Sequence, residues 1–117
     1  MGEYYRLLDD LTAEPTDSVL EAAASVGTVL EHSIVGWVEV VTFFLGVDCG
    51  GDGGLLLWET VLRRFGEDAS IARYSHANLA VKGHDRIVMW ALPNTREIYA
   101  GVLDQESLDE AMEGLRP

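Results

Sequence analysis

The side chains with the most reactive chemistry are a single cysteine and three histidines. Cys49 could act as a nucleophile, with His76 or His84 as its base and Asp85 as the acid that orients the histidine. None of the known local cysteine-enzyme signatures surrounds Cys49, and the histidines lack zinc-ligand spacing with it. His84 falls in a predicted turn and is expected to be solvated. We therefore predict that the chain is not an enzyme and needs no cofactor.

A glycine-rich segment with two aspartates surrounds the cysteine. Its sequence, Asp48-Cys-Gly-Gly-Asp52-Gly53-Gly-Leu-Leu-Leu-Trp-Glu59, resembles the EF-hand calcium loop at the first, fifth, sixth and twelfth loop positions. The resemblance implies that Asp48, Asp52 and Glu59 would be calcium ligands, with Gly53 at the sharp turn and Gly54 as a carbonyl donor. The third loop position departs from that pattern, because a glycine there has no side chain to coordinate a cation.

Two other interpretations of this segment stay open. Clustered glycine amides before a helix can bind phosphate. The segment lacks the Gly-x-Gly-x-x-Gly and P-loop patterns, however, and Asp48 and Asp52 would repel an anion. The remaining interpretation is a plain strand-to-helix connection whose acids complement the dipole of the following helix.

Net charge is the strongest property of the composition. The 117 residues carry 20 acids and 8 bases, which gives a formal charge of −12. Such a surface repels nucleic acid and anionic lipid, so we predict no direct nucleic-acid binding and no membrane binding. A basic protein is the natural electrostatic complement. The same charge would also keep a small protein soluble without any binding role.

The charge is unevenly distributed along the chain. Residues 1–60 carry eleven acids and one base, and residues 97–117 carry six acids and one base, whereas residues 61–96 carry six bases and three acids. This asymmetry predicts an acidic surface built from both ends of the chain. The candidate binding residues are acids of these two ends: Asp9, Asp10, Glu14, Asp17, Glu106, Asp109, Glu110 and Glu113.

Composition also sets the class of protein and its compartment. The length fits one domain over residues 1–117, and a hydrophobic content of 48% is sufficient for a core. Cys49 alone cannot form an internal disulfide, which fits a reducing cytosol. The polar residues 1–6 do not resemble a signal peptide, and the longest apolar run is shorter than the roughly 20 residues that span a bilayer. We expect a cytoplasmic location.

The elements that must position these residues form around an apolar unit, residues 34–65. We predict a central strand over residues 35–47, covered on both sides, and then a helix over Leu55–Phe65 that ends at Gly66. Further helices are predicted over residues 3–12 and 18–31 and after Asp104, the last two with capping boxes at Ser18–Glu21 and Ser107–Glu110. Strands are predicted over residues 70–74 or 78–82, 86–92 and 96–103, with turns at 83–85 and 93–95. The expected fold is α+β: one compact domain with a central antiparallel or mixed sheet of about four strands, flanked by three to four helices.

Four large side chains within these elements carry separate expectations. Trp37, Trp58 and Trp90 are expected in the core, with one of them at an interface as the alternative. Glu39 lies inside the apolar strand. It faces solvent at an edge, pairs with an arginine of residues 63–96, or marks a site.

Three functional hypotheses follow. The first is a non-enzymatic, acidic protein-binding module that neutralises or regulates a basic partner, as immunity proteins, nuclease inhibitors and anti-defence proteins of the anti-CRISPR kind do. The second rests on the predicted element order, which is loosely similar to roadblock-like and profilin-like modules and implies a regulatory scaffold that forms a homodimer. The third is a calcium-responsive domain that uses the Asp48–Glu59 loop.

Overall fold

The computed structural model describes residues 4–47, 55–102 and 104–115. In chain order its elements are β1 (Tyr4–Leu7), β2 (Ala13–Thr16), α1 (Val19–Ser25), β3 (Val29–Val35), β4 (Val38–Phe44), β5 (Trp58–Arg64), β6 (Glu67–Tyr74), α2 (Ala77–Ala91), α3 (Thr95–Tyr99) and α4 (Gln105–Ala111). A short 3-10 helix, Leu92–Asn94, connects α2 to α3. The predicted α+β class is confirmed. Across these ranges no helix is both long enough and apolar enough to cross a bilayer.

A four-stranded antiparallel sheet with the order β3-β4-β5-β6 forms the centre of the fold. Helix α2 packs across one face of all four strands, and this face will be called the helix face. The predicted centrality of the strand after residue 35 is confirmed, since β4 pairs with β3 on one side and β5 on the other. The single predicted sheet is matched only roughly, because β1 and β2 form a separate two-stranded sheet.

The core lies between the helix face and α2, and α4 closes it from the side. Trp58 packs edge-on against Phe44, with the ring centroids 5.1 Å apart. Trp58 and Trp90 are buried, as predicted, whereas Trp37 is 78% exposed, so its assignment to the core is wrong. Leu108 of α4 and Met112 at its C-terminal cap are buried.

Five polar side chains form a hydrogen-bonded chain through this core, which will be called the polar chain. His84 of α2 is hydrogen-bonded through Nδ1 to Thr42 Oγ1 at 2.8 Å and through Nε2 to Ser33 Oγ at 2.9 Å. Thr42 Oγ1 lies 2.5 Å from Thr60 Oγ1, which donates to the Tyr74 hydroxyl at 3.1 Å. One member comes from each of β3, β4, β5, β6 and α2. The chain therefore satisfies buried polar groups that would otherwise destabilise the core.

Two predictions about His84 are wrong: that it lies in a turn at residues 83–85, and that it is solvated. The residue is 1% exposed, so the expected solvated turn at residues 83–85 is wrong. These residues lie in the middle of α2, where Gly83 allows the Tyr74 ring to approach. A Cβ atom at Gly83 would stand 2.3 Å from the Tyr74 hydroxyl and ring. The glycine serves close packing and does not make a turn.

The face of the sheet opposite α2 will be called the outer face. Strand register places its side chains in three cross-strand rows. Val41 and Val61 at its centre are buried. The rows are Ile34-Glu39-Arg63-Asp68, His32-Val41-Val61-Ser70 and Val29-Phe43-Glu59-Arg73.

Glu39 lies on the outer face, between Ile34 of β3 and Arg63 of β5. Its carboxylate lies 3.8 Å from Arg63 and 3.5 Å from the His32 ring. Of the three explanations, pairing with an arginine of residues 63–96 is the one the structure shows. An edge position is excluded because β4 is paired on both sides.

The predicted helix over residues 3–12 is wrong, because β1 and β2 form a hairpin there. The turn is held by the Asp10 carboxylate, which accepts hydrogen bonds from the Thr12 amide and hydroxyl at 3.0 and 2.5 Å. Leu11 takes a positive φ of 68°, which a helix cannot contain. The leucines that suggested helical spacing lie partly in this turn. Local aspartate chemistry therefore wins over a short apolar repeat.

The predicted helix over Leu55–Phe65 is also wrong, since β5 occupies Trp58–Arg64. Five consecutive residues from Trp58 to Leu62 are buried, which suits a strand covered from both directions better than one face of a helix. Gly66 does not end a helix but completes the β5–β6 turn, with φ of 76°.

Of the three strands predicted in the second half of the chain, the first is confirmed in its 70–74 option, and the other two, residues 86–92 and 96–103, are wrong. Residues 78–82 and 86–92 belong to α2 and the start of the 3-10 helix, and residues 96–99 to α3. Residues 70–74, the other option, lie within β6. Burial at positions 80, 83, 84, 87, 90 and 91 follows helical spacing, and this period outweighs the β-branched residues of the segment.

The predicted helix starts are confirmed at two places. Ser18 caps α1 by accepting from the Glu21 amide at 3.2 Å, and α4 begins directly after Asp104. Helix α1 ends six residues earlier than expected, because Gly27 adopts a φ of 82° and β3 follows. The predicted capping box at Ser107–Glu110 is wrong, because Ser107 lies inside α4 and its amide donates at 3.2 Å to Asp104, which is the cap.

Candidate protein-binding site

The most prominent exposed feature is a group of apolar side chains at one end of the four-stranded sheet, which will be called the aromatic patch. It consists of Ile34, Trp37, Phe65 and Tyr99. Trp37 is 78% exposed and Phe65 70%, and their ring centroids lie 5.1 and 4.7 Å from the ring centroid of Tyr99. Ile34 is also 70% exposed, and it lines a shallow cleft together with Trp37 and Phe65. The Trp37 and Phe65 rings are tilted by 50° and 46° against the Tyr99 ring, so the patch is a continuous aromatic surface.

Two hairpin turns bring the patch together. Trp37 lies in the two-residue β3–β4 turn behind Gly36, whose φ of 63° fits a type II′ turn. Phe65 and Gly66 form the β5–β6 turn, with φ of 52° and 76°, as in a type I′ turn. Both turns lie at the same end of the antiparallel sheet, and α3 packs beneath them to supply Tyr99.

The backbone of Phe65 is strained. A left-handed conformation costs a residue with a Cβ about 1–2 kcal/mol, and a large aromatic side chain is rare there. The side chain does not recover that cost by burial, since 70% of it is exposed. A residue that is both strained and exposed is favoured at a functional position rather than by stability.

Charged groups around the patch are held in fixed arrangements. Arg64 donates a 2.5 Å hydrogen bond to the Tyr99 carbonyl, and its guanidinium carbon lies 5.8 Å from the Phe65 ring centroid. Arg63 donates to the Asp68 carboxylate at 2.7 and 3.2 Å. This bond lowers the pKa of Asp68 below its ordinary value and raises that of Arg63. Arg63 and Arg64 therefore already have hydrogen-bond partners. The positive and negative side chains around the patch nearly balance in charge.

The eight predicted binding acids do not converge on one place. Asp9 and Asp10 lie in the β1–β2 turn, and Asp10 lines a cleft with His76 at the start of α2. The Glu14 carboxylate is paired with Arg6, and Asp17 directly precedes the cap of α1. The acids of α4 lie beside the other half of α2, where Trp90 donates to Ser107 at 2.6 Å. The set comprises two separate acidic regions.

The outer side of α4 is the more acidic of the two regions. Glu106, Asp109 and Glu110 of α4 and Glu113 just after it are all exposed, whereas Leu108 of the helix and Met112 at its C-terminal cap are buried. Among the described residues, Glu106, Glu110 and Glu113 take part in no ion pair with a lysine or arginine. Their charge therefore contributes directly to the field around the protein.

The predicted calcium ligands are only partly within the structure. Asp48 and Asp52 lie outside the described residues. Glu59 lies on β5 and is 8% exposed, and its carboxylate accepts hydrogen bonds from Arg73 at 2.7 Å and from Ser70 at 3.1 Å. Over the described ranges no group of three or more His, Cys, Asp or Glu side chains is placed to hold a metal ion.

The predicted catalytic residues are similarly placed. Cys49 is outside the described residues. His84 faces the core through the polar chain, while the neighbouring Asp85 is exposed. The His76 ring is hydrogen-bonded to Ser75 at 2.7 Å, at the start of α2. Hence neither histidine is oriented by Asp85.

Reasoning from sequence missed the aromatic patch. By residue type alone, Trp37 and Phe65 belong to the apolar unit of residues 34–65. A signal was present in the glycine beside each of them, since Gly36-Trp37 and Phe65-Gly66 lie between strand-like runs and mark two-residue turns. Side chains in such turns project away from the core.

Comparison with known proteins gives no further assignment. The chain matches no protein-family model, and neither the curated proteins nor the solved structures contain a significant match.

Proposed function

We propose that the chain is a non-catalytic protein-binding domain that neutralises or regulates a basic protein, and that the aromatic patch is the centre of contact. The observation that carries the proposal is the exposure of Trp37 and Phe65 side by side on Tyr99. Binding energy at protein interfaces concentrates in a few aromatic and arginine side chains, with tryptophan and tyrosine prominent among them. A contiguous exposed apolar surface of this kind indicates an interaction site.

Preorganisation supports the same conclusion. The patch residues lie on two tight turns and on α3, and the Trp37 and Phe65 rings already contact the Tyr99 ring, so less side-chain freedom remains to be lost on binding. Ordering an interface side chain otherwise costs roughly 0.5–1.5 kcal/mol. The strained φ of Phe65 fits this interpretation, since the structure accepts its cost to present the ring.

The net charge of the chain indicates that the partner is a basic protein. A formal charge of −12, with the exposed carboxylates of α4, attracts basic proteins and speeds their encounter. At the patch itself, a lysine or arginine of the partner can lie over the exposed Trp37 ring, a contact worth about 0.5–1 kcal/mol at such a site. The acids therefore supply long-range attraction, and the aromatic rings supply short-range contact.

The test is affinity capture of the tagged chain from a lysate of its source cells at low salt, with elution in steps of increasing salt. We expect one stoichiometric basic protein, released by salt. Trp37→Ala and Phe65→Ala should each weaken its binding by about tenfold or more in titration calorimetry, as hot-spot truncation does.

Met89→Ala is the matched control, because Met89 is a large apolar side chain that is 72% exposed on α2 and outside the patch. It should bind like the unmodified chain. The proposal fails when the patch variants retain full affinity for the captured protein, or when that protein is acidic and its binding is insensitive to salt.

A further inference from the structure

Strand β3 is an edge of the four-stranded sheet, and its outer backbone is open in the described structure. It pairs with β4 on one side only. No hydrogen bond among the described residues reaches the other side of residues 30–35. An edge strand with unpaired amides and carbonyls is a template for the addition of another strand.

The outward groups can be identified from the register. Residues that flank a two-residue hairpin turn exchange hydrogen bonds, so Val35 and Val38 form a bonded pair. Bonded and non-bonded pairs then alternate along an antiparallel ladder. Ile34 and His32, which oppose Glu39 and Val41, therefore direct their N–H and C=O groups away from β4.

The usual protections of an edge strand are scarce on β3. Its sequence, VLEHSIV, contains no proline and no lysine, and the register shift between Val29 and Glu31 lies at the end far from the β3–β4 turn. The opposite edge strand, β6, carries Glu67, Asp68 and Arg73 among its eight residues. β3 is the less protected of the two edges.

The side chains of β3 define the chemistry of an added strand. Glu31 and Ser33 lie on the helix face, where Ser33 is bound to His84. Ile34 and His32 lie on the outer face, next to Glu39. Directly opposed side chains of neighbouring strands favour opposite charges or apolar pairs. An added segment thus gains from a lysine or arginine beside Glu31 and from an apolar side chain beside Ile34.

β3 is also continuous with the aromatic patch. The strand ends at Val35, and the turn that carries Trp37 follows at once. Ile34 belongs to both surfaces. A segment that pairs with β3 next to this turn passes over Ile34 and reaches the Trp37 ring. Strand addition and aromatic contact can therefore serve one ligand.

We propose that β3 accepts an extended basic segment of the partner as a fifth strand of the sheet. This inference rests on the proposed function, because the basic character of the segment follows from the charge of the chain. A second copy of the chain is the other candidate for the edge. It is disfavoured because each copy carries a charge of −12 and presents the same Glu31.

The first experiment uses a synthetic octapeptide of alternating lysine and valine as the probe and an octapeptide of alternating glutamate and valine as the charge control. Binding to the full chain is measured by fluorescence anisotropy, and amide protection by hydrogen exchange. We expect the lysine–valine peptide to bind at least about tenfold more tightly and to slow exchange at His32 and Ile34, whose outward amides it would bond.

Proline substitution then tests the backbone. His32→Pro and Ile34→Pro each remove one outward amide while leaving the β3–β4 ladder its own bonds, and proline is tolerated on edge strands. We expect a loss of probe affinity of about fivefold or more, equivalent to one lost hydrogen bond. His32→Ala keeps the amide and is the matched control for His32→Pro, whereas Ile34→Ala removes an apolar contact, so Ile34→Pro must lose more affinity than Ile34→Ala. Circular dichroism and thermal melting verify the fold of each variant.

A charge reversal gives a second test that does not depend on how the proline variants fold. Glu31→Lys should clearly reduce the preference for the lysine–valine peptide, because it replaces the carboxylate beside the added strand while the chain keeps a net charge of −10. Glu67→Lys, an exposed position on the opposite edge, should leave the preference unchanged. The proposal is overturned when Glu31→Lys leaves the preference unchanged, or when His32 and Ile34 gain no protection.

The captured partner separates this proposal from the function on which it rests. Loss of partner binding in Trp37→Ala but not in His32→Pro would leave the function standing and remove strand addition. Retained binding in both would remove both. Dimerisation of the chain alone in sedimentation experiments, abolished by His32→Pro, would assign the edge to a second copy and overturn the proposal.

Discussion

A neutral histidine inside a cluster of hydroxyl groups is the most unusual single residue of the molecule. Burial lowers the pKa of His84 below the ordinary histidine value of 6.5. Glu31 and Asp85 act in the opposite direction, and His32 adds to the lowering. Both ring nitrogens are occupied by hydroxyl oxygens of Ser33 and Thr42, which can satisfy the neutral ring without a counter-ion.

The resulting prediction is a loss of stability in mild acid. Below pH 6.5 the unfolded chain binds a proton at His84 that the folded chain resists, so the free energy of unfolding falls as the pH falls through and below that value. Above pH 6.5 this contribution is fully present. Urea unfolding of the native chain and of His84→Gln at a series of pH values from about 7.5 to about 5 measures the effect.

His84→Gln should show a shallower dependence on pH, even where its absolute stability is lower. His32→Gln and His76→Gln are the controls for the other histidines, and neither should flatten the curve as much. Equal slopes in the native chain and in His84→Gln would contradict the assignment.

Gly83 leads to a second prediction at this scale. Replacing a glycine by alanine inside a helix ordinarily stabilises it by roughly 0.5–1 kcal/mol. Here the new methyl group would stand 2.3 Å from the Tyr74 ring. We expect Gly83→Ala to reduce the free energy of unfolding by about 1–3 kcal/mol, as over-packing does. Chemical unfolding measures it, and Asp85→Ala, exposed on the same helix, should change stability by much less.

The β5–β6 hairpin turn contains a residue that lowers the stability of the turn. Phe65 occupies the first central position of a type I′ turn, a place that favours asparagine or glycine before the following Gly66. Phe65→Asn restores that preference. It should raise the free energy of unfolding by up to about 1 kcal/mol, since relief of left-handed strain exceeds the loss of one exposed ring contact.

The same variant should lose affinity for the captured partner, because it removes one ring of the aromatic patch. Thermal melting and titration calorimetry on the same preparation measure both effects. Phe65→Leu keeps the strain and removes only the ring, so its stability should not rise. A fall in stability of Phe65→Asn would show that the ring contact outweighs the strain.

Elements were predictable from the sequence where a short-range chemical rule determines them. The start of α1 follows from Ser18, whose oxygen caps the Glu21 amide three residues on. The position of α4 after Asp104 was also predictable, although its cap is Asp104 and not the predicted Ser107. The α+β class and the central position of β4 follow from the dense apolar run after residue 35. These inferences depend on only a few neighbouring residues.

Elements determined by distant packing were not predictable in the same way. Gly83 suggested a turn, yet its small size serves the ring of Tyr74 on β6. Residues 58–62 satisfy both a buried strand and a buried helix, and only pairing with β4 and β6 decides between them. The aromatic patch was missed for the related reason that residue type alone does not distinguish an aromatic side chain in the core from one on a turn.

At the scale of the whole molecule, charge dominates behaviour. The chain carries −12 with only 8 bases, so the folded state brings like charges together and repels itself. The screening length falls from about 30 Å at 0.01 M salt to about 8 Å at 0.15 M. Repulsion between the acids of α4 and those of the β1–β2 hairpin is therefore a property of low ionic strength.

We expect the melting temperature to rise with added sodium chloride, most steeply below about 0.15 M, because screening relieves this repulsion. A triple variant reduces the negative net charge from −12 to −9; its changes are Glu106→Gln, Glu110→Gln and Glu113→Gln. It should melt at a higher temperature in low salt and respond less to added salt. Scanning calorimetry over a salt series measures both. A flat response in the native chain would contradict the expectation.

The polar chain from Ser33 to Tyr74 has a consequence for how this sequence can change over time. Each of its four strand positions is bound to the next through one side chain, and the imidazole of His84 bridges two of them. A shift of any strand by one residue would turn its member to the outer face and leave its neighbours without partners. Hydrogen bonds among these five side chains thus fix the register of the whole sheet. In diverging copies of this sequence, Ser33, Thr42, Thr60, Tyr74 and His84 should be replaced together or not at all.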